Sequence, residues 1–145
     1  MTRNGFRRVN LNGMTTVDEF VGKLMINEKG TYWINGILIE AMEAGDLTAS
    51  DLVEAYLARI EAYDRRGPAL NALVTVNQNA LTRAAELDAA FAARGLTGPL
   101  HGIPIIVKDN YDIAHLPTSA GSLALADSLA PDDAFQVRMI RDAGG

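Results

Sequence analysis

The chain has 145 residues, no cysteine and a formal net charge of −5, with 48% hydrophobic and 21% charged residues. This length suffices for one domain that buries roughly 70% of the surface of its extended chain. The charge gives no sign of a nucleic-acid partner, no apolar run reaches the length of a membrane span, and the lack of cysteine excludes disulfides and thiolate chemistry. These properties predict a globular protein of the cytoplasm.

Residues 1–30 have weak hydrophobic periodicity and scattered glycines. They are interpreted as an N-terminal arm with one short helix near residues 17–25. A basic cluster lies at the start of the arm, but polar residues follow it, so it does not resemble a secretory signal. Residues 31–145 carry clearer patterns and are interpreted as one domain.

Two amphipathic helices are predicted at the start of this domain. The first ends at Gly45, a residue suited to the left-handed conformation that follows many helices. The second begins at Thr48, which forms a variant of the capping box with Asp51 three residues later. This second helix is expected to end before Gly67 and Pro68, which interrupt regular structure.

Two strands and two further helices follow. The predicted strands are NALVTV, residues 71–76, and IPIIV, residues 103–107, the second of them buried on both faces. One predicted helix covers residues 79–93, and the other starts at Asp132 or Asp133 and ends at Ala143. Strands that alternate with helices predict an α/β fold in which helices cover a sheet. The chain ends just after a helix, where another strand is expected, so the sequence also predicts a truncated domain.

Lys108 directly follows the predicted strand 103–107. A lysine at the end of a buried strand is partly desolvated, and complete burial lowers the pKa of the amine by up to about 3–5 units. A neutral amine is a base, which is what a hydroxyl nucleophile requires. The alternative is that Lys108 emerges at the surface and pairs with Asp109 or Asp112, and the spacing alone favours this second interpretation.

Four residues with metal-ligating side chains lie close together in the sequence: His101, Asp109, Asp112 and His115. They lack the i, i+4 spacing of ligands on one helix, so no metal site is predicted.

The loop PTSAGS, residues 117–122, offers the hydroxyls of Thr118, Ser119 and Ser122 as candidate nucleophiles. The favoured interpretation is structural: Gly121 supplies an unusual backbone angle and the hydroxyls satisfy loop amides. The glycines that precede Lys108 do not match a phosphate-binding loop.

Together these segments resemble the N-terminal part of the amidase-signature family. The resemblance lies in GPLHGIPIIVKDNYD, PTSAGS, PDDAFQVRMIRDAG and, upstream, GDLTASDLVEAYLARIEAYDRRGPALNALVTVN, so it covers about residues 31–145. The run Gly-x-Pro, three apolar residues and Lys-Asp-Asn is highly specific when a Thr/Ser-x-Gly-Ser loop follows at the right distance. The family implies an α/β/α layered fold in which helices cover a mixed sheet, here incomplete.

The resemblance also implies hydrolysis of linear carboxamides by a Ser–cis-Ser–Lys triad, without metal or cofactor. It assigns the lysine role to Lys108, which is neutral in the free enzyme and takes the proton of the nucleophilic serine through the cis-serine. Backbone amides near the nucleophile would hold the oxyanion. Structural roles are expected at neighbouring motif positions: Gly102, Pro104, Asp109, Asn110, Gly121 and Ser122.

Both serines of the triad are missing from this sequence, which contains no Gly-Gly-Ser-Ser-Gly run. The chain is therefore expected to be an inactive fragment of an amidase whose substrate is a small-molecule amide. One alternative is the A subunit of the tRNA-dependent amidotransferase, which releases ammonia from glutamine for partner subunits. Another is a non-catalytic interaction protein or the relic of a truncated gene, with a docking surface on residues 52–63 and 81–91.

Overall fold

The computed structural model describes residues 31–145, and its regular structure is helical. The α-helices are α1 (Thr31–Ala44), α2 (Ala49–Arg59), α3 (Ala80–Arg94) and α4 (Phe135–Asp142). A π-helical turn at Ile60–Arg65 extends α2, and a 3₁₀ turn covers Leu123–Leu125. The predicted N-terminal arm and its short helix lie outside the described residues.

The predicted boundary between α1 and α2 is confirmed. Gly45 has a φ of +78°, and two backbone hydrogen bonds across the last turn of α1 complete a Schellman motif. At the start of α2, the hydroxyl of Thr48 accepts a hydrogen bond from the Asp51 amide at 3.0 Å. The Asp51 carboxylate in turn accepts one from the Thr48 amide at 3.0 Å, which closes the capping box. Local sequence therefore sets both helix ends.

A second cap on α2 comes from α3. The carboxylate of Asp88 accepts hydrogen bonds from the amide of Ala49 at 2.7 Å and from the amide and hydroxyl of Ser50 at 3.1 and 2.5 Å. An anion at a helix N-terminus satisfies free amides and opposes the positive end of the helix dipole. Asp88 therefore joins two helices that are distant in sequence.

The apolar core lies between α1, α2 and α3, and Ile103 contributes to it from outside the helices. The buried members are Leu38, Ala41, Met42, Leu47, Ala49, Leu52, Val53, Ala55, Ala84, Leu87 and Ile103. The apolar stripe of the alternative docking surface is therefore used largely within the protein, where α2 packs against α3. This packing argues against the interaction-protein alternative.

The strand predicted at residues 71–76 is wrong for the described structure, since these residues extend without pairing to another strand. They are held instead by the end of the preceding helix. The carboxylate of Asp64 accepts a hydrogen bond from the Ala72 amide at 2.6 Å, and Arg65 donates to the Leu73 carbonyl oxygen at 2.8 Å. An extended run becomes a strand only where a neighbouring strand accepts its hydrogen bonds.

Helix α4 begins at Phe135, two or three residues after the predicted start. Asp133 lies before the helix and joins it to an earlier loop, accepting a hydrogen bond from the Ala114 amide at 2.8 Å and pairing with Arg141 at 2.7 Å. This aspartate therefore positions α4 and does not belong to its first turn.

The residues that follow α4 pack against the turn that precedes residue 103. The Leu100 amide donates to the Ala143 carbonyl oxygen at 2.8 Å, and the Gly102 amide donates to the Gly144 carbonyl oxygen at 3.0 Å. Gly102 has a φ of +71°, and a Cβ at this position would lie 2.7 Å from the Cβ of Ala49. The glycine of the Gly-x-Pro motif is thus required by backbone conformation and by contact with α2.

Candidate active site

Lys108 lies on an exposed turn at the end of an extended segment. Ile103 is buried in the core, but Ile105 and Ile106 are 40% and 78% exposed. The Tyr111 amide donates to the Lys108 carbonyl oxygen at 3.0 Å, which closes the turn. Lys108 itself is exposed, and within the described residues its amine forms no ion pair with a carboxylate.

The prediction of a strand at residues 103–107, buried on both faces, is therefore wrong for the described structure. The isoleucine side chains beyond Ile103 have no sheet neighbours or covering helices to pack against, and residues 31–145 contain no β-strand. The desolvation predicted for Lys108 depends on that burial, and the described residues do not supply it. The sheet of the predicted α/β fold is likewise absent from this part of the chain.

Asp109 joins the lysine turn to the loop of residues 117–122. Its carboxylate accepts hydrogen bonds from the amide and hydroxyl of Ser119 at 3.0 and 2.5 Å and from the Gly121 amide at 3.4 Å. Its carbonyl oxygen accepts another from the Ala120 amide at 2.8 Å. The hydrogen bonds from the Ser119 hydroxyl and amide lower the pKa of the Asp109 carboxyl below its ordinary value, because they favour the charged form.

The loop that binds Asp109 is closed by its own backbone. The Thr118 amide donates to the Ser128 carbonyl oxygen at 2.9 Å, and Pro117 and Leu129 form an isolated bridge. Gly121 has a positive φ of 76°, as the sequence predicted. The hydroxyl of Ser119 also accepts a hydrogen bond from the Gly121 amide at 3.2 Å, so its role in this loop is structural.

His101 is buried in a structural position and does not belong to a ligand cluster. Its Nδ1 accepts a hydrogen bond from the Thr97 amide at 3.2 Å, and its ring lies 5.8 Å from that of Phe91. Burial lowers the pKa of His101, Asp88 opposes this effect, and Arg83 adds to it. The described residues contain no group of three or more His, Asp or Glu side chains placed to hold a metal ion.

The buried imidazole predicts a pH-dependent stability. Because the folded pKa of His101 lies below the ordinary value of about 6.5, the unfolded chain binds more protons, and stability falls as the pH drops through that value. The loss reaches at most about 1.4 kcal/mol per pH unit. Because the pKa of Asp109 is lowered, its carboxylate stays ionised above about pH 5 and does not contribute to this pH dependence.

Urea unfolding at about pH 7.5 and pH 5.5 measures this effect. The His101→Gln variant should lose most of the pH dependence, whereas His115→Asn, a change at a histidine outside the core with a φ of 67°, should retain it. Equal pH dependence in the native chain and in His101→Gln would contradict the assignment.

The matched sequences define the class of this protein. The protein-family model of the amidase family matches residues 51–145, which is more than half of the chain. The protein therefore belongs to the amidase family, and the resemblance that its motifs carry is confirmed. In the described residues, no helix is both long enough and apolar enough to cross a membrane.

Individual relatives lie within the same family. An acylamidase of Rhodococcus erythropolis is 34% identical over 83% of this chain and 25% of its own length. The A subunit of the glutamyl-tRNA(Gln) amidotransferase of Acidothermus cellulolyticus is 39% identical over 74% of this chain and 21% of its own. The native peptide amidase of Stenotrophomonas maltophilia superposes with a TM-score of 0.74 and 46% identity, covering 83% of this chain and 24% of the enzyme. The chain thus spans a quarter or less of each of these relatives.

Proposed function

We propose that this chain supplies the N-terminal, lysine-bearing part of an amidase that hydrolyses linear carboxamides by a Ser–cis-Ser–Lys mechanism. The observation that carries the proposal is the state of Lys108. It follows the family motif directly, and in the described residues its amine forms no ion pair, while the adjacent Asp109 accepts hydrogen bonds from the loop of residues 117–122.

In the proposed reaction, the neutral amine of Lys108 takes a proton from the cis-serine, which takes the proton of the nucleophilic serine. The serine oxygen then attacks the amide carbonyl carbon, the C–N bond breaks, and the leaving nitrogen takes up the proton. Water hydrolyses the resulting ester and releases the acid. Both serines belong to sequence that this chain does not contain, so we propose that the 145 residues alone are inactive.

The amine of Lys108 would be shielded from water only when the rest of the fold is present. We propose that neighbouring strands of the family's mixed sheet pair with residues 103–107 and cover Ile105 and Ile106. The exposure of two successive isoleucines close to Lys108 supports this step. Water excluded from the segment would then lower the pKa of the amine and make it a base at neutral pH. The proposed substrate is a small-molecule amide, and the proposed location is the cytoplasm.

A chimeric enzyme tests the function directly. Residues 31–145 would replace the matching quarter of the Stenotrophomonas maltophilia peptide amidase, which supplies the remaining segments. The chimera should hydrolyse a peptide amide and react with a fluorophosphonate probe, whereas the 145-residue chain should remain unlabelled. A folded chimera without either activity would contradict the proposal, and labelling of the short chain at Ser119 or Ser122 would contradict its predicted inactivity.

The A subunit of the amidotransferase is a second candidate, supported by the 39% identity to the Acidothermus cellulolyticus protein. The two candidates differ in their substrates. The same replacement in the Acidothermus protein should restore ammonia release from glutamine only when its partner subunits are present. Activity in this second chimera alone would favour the amidotransferase assignment.

A further inference from the structure

We propose that Asp109 is a positioning residue that fixes the lysine turn against the loop of residues 117–122 and keeps the Lys108 amine free of an ion pair. The inference rests on the proposed function of Lys108. It concerns a carboxylate that does not itself touch the substrate or the reacting atoms and acts through the residue beside it.

The Asp109 carboxylate binds the loop of residues 117–122 through several hydrogen bonds. Asp109 accepts hydrogen bonds through both carboxylate oxygens, Oδ1 from the Ser119 amide and Oδ2 from the Ser119 hydroxyl and the Gly121 amide. Ala120 and Gly121 have positive φ values of 49° and 76°. The Ser119 and Gly121 amides both point to the carboxylate, and a concavity lined by backbone amides favours an anion. A carboxylate in this concavity therefore holds the whole turn in place.

The attachment matters because the lysine turn has little other support. Lys108 is exposed, and the segment that leads to it beyond Ile103 is not packed into the core. Besides the bond from the Tyr111 amide to the Lys108 carbonyl oxygen, hydrogen bonds from Ser119, Ala120 and Gly121 to Asp109 hold the backbone next to the lysine. A displacement of about 1 Å in a catalytic group reduces rates by as much as about 100-fold.

The same hydrogen bonds also hold the Asp109 carboxylate in the loop of residues 117–122. Asp109 is the nearest carboxylate in sequence, and an ion pair with it would stabilise the charged lysine and oppose its function as a base. The donors of Ser119 and Gly121 occupy the carboxylate instead, and in the described residues Lys108 forms no ion pair. The low pKa of the Asp109 carboxyl agrees with this strong set of donors.

The first test uses the 145-residue chain. Amide hydrogen exchange at Ser119 and Gly121 should accelerate about tenfold or more in Asp109→Asn. The matched control is Asp127→Asn, which removes the same charge from an exposed position on the neighbouring loop and should leave both rates unchanged. Unchanged exchange in Asp109→Asn would overturn the proposal, and so would an equal acceleration throughout residues 31–145.

The second test uses the amidase chimera and separates position from charge. Asp109→Asn should lower kcat about 10- to 100-fold, with little change in KM, at every pH. Ser119→Ala removes the hydroxyl donor to one Asp109 carboxylate oxygen and should let Lys108 pair with that oxygen, so its kcat should fall at neutral pH and recover at higher pH, while Ser119→Thr should retain activity. A kcat in Asp109→Asn equal to that of Asp127→Asn would overturn the proposal. Full activity of Lys108→Ala would instead refute the proposed function itself.

Discussion

Replacing Lys108 with alanine in the amidase chimera should reduce kcat by about 10²- to 10⁴-fold, the usual contribution of a general base. The reason is that the proposed mechanism assigns the general base to this amine, while His101, the histidine within the motif, is buried against Thr97 and Phe91. Initial rates of peptide amide hydrolysis measure the loss, and the rate of fluorophosphonate labelling should fall in parallel.

Lys108→Arg is the informative companion variant. Arginine has a side chain of similar length, but its guanidinium remains protonated at any pH that the enzyme tolerates. If the amine acts as a base, the arginine variant should be as inactive as the alanine variant. Substantial activity in Lys108→Arg would mean that position 108 contributes only charge.

Gly102→Ala should destabilise the chain by about 2–5 kcal/mol. A left-handed conformation costs an L-residue about 1–2 kcal/mol, and the new methyl group would also overlap the Cβ of Ala49 at the start of α2. Overpacking of this kind adds about 1–3 kcal/mol. Urea unfolding followed by circular dichroism measures the loss, with the midpoint expected to shift and the slope to stay constant.

Gly45→Ala is the matched control, because Gly45 has a nearly equal φ of +78° and open space around the position of a Cβ. In this variant the free energy of unfolding should fall by the conformational cost alone, about 1–2 kcal/mol. Equal losses for the two variants would show that contact with Ala49 contributes nothing and that backbone conformation explains the glycine of the motif.

The helices could be predicted because their signals are local. Gly45 ends α1 and Thr48 begins α2 through hydrogen bonds to residues within a few positions, so the sequence pattern contains all the participants. The second cap, by Asp88, could not be predicted, since nothing in the sequence indicates which carboxylate from a distant helix reaches Ser50. An acidic residue on the otherwise apolar face of α3 was the available signal.

The strands could not be predicted correctly because a segment forms a strand only when another segment pairs with it. Residues 103–107 have the composition of a buried strand, but in the described structure no partner strand pairs with them and Ile106 remains 78% exposed. At the candidate site, the motif resemblance selected Lys108, and it also anticipated an anchoring role for Asp109. The partner of that anchor, Ser119, was identified only by the structure, because loop conformation decides which donors face the carboxylate.

The bond between Asp88 and the first turn of α2 has a consequence for how the chain acquires its structure. Short helices are marginal in isolation, because nucleation is costly and each terminus leaves amides without partners. Since α3 satisfies two of those amides on α2, neither helix reaches its full stability before the other has docked. Folding of this region should therefore be cooperative, with the two helices forming and melting as one unit.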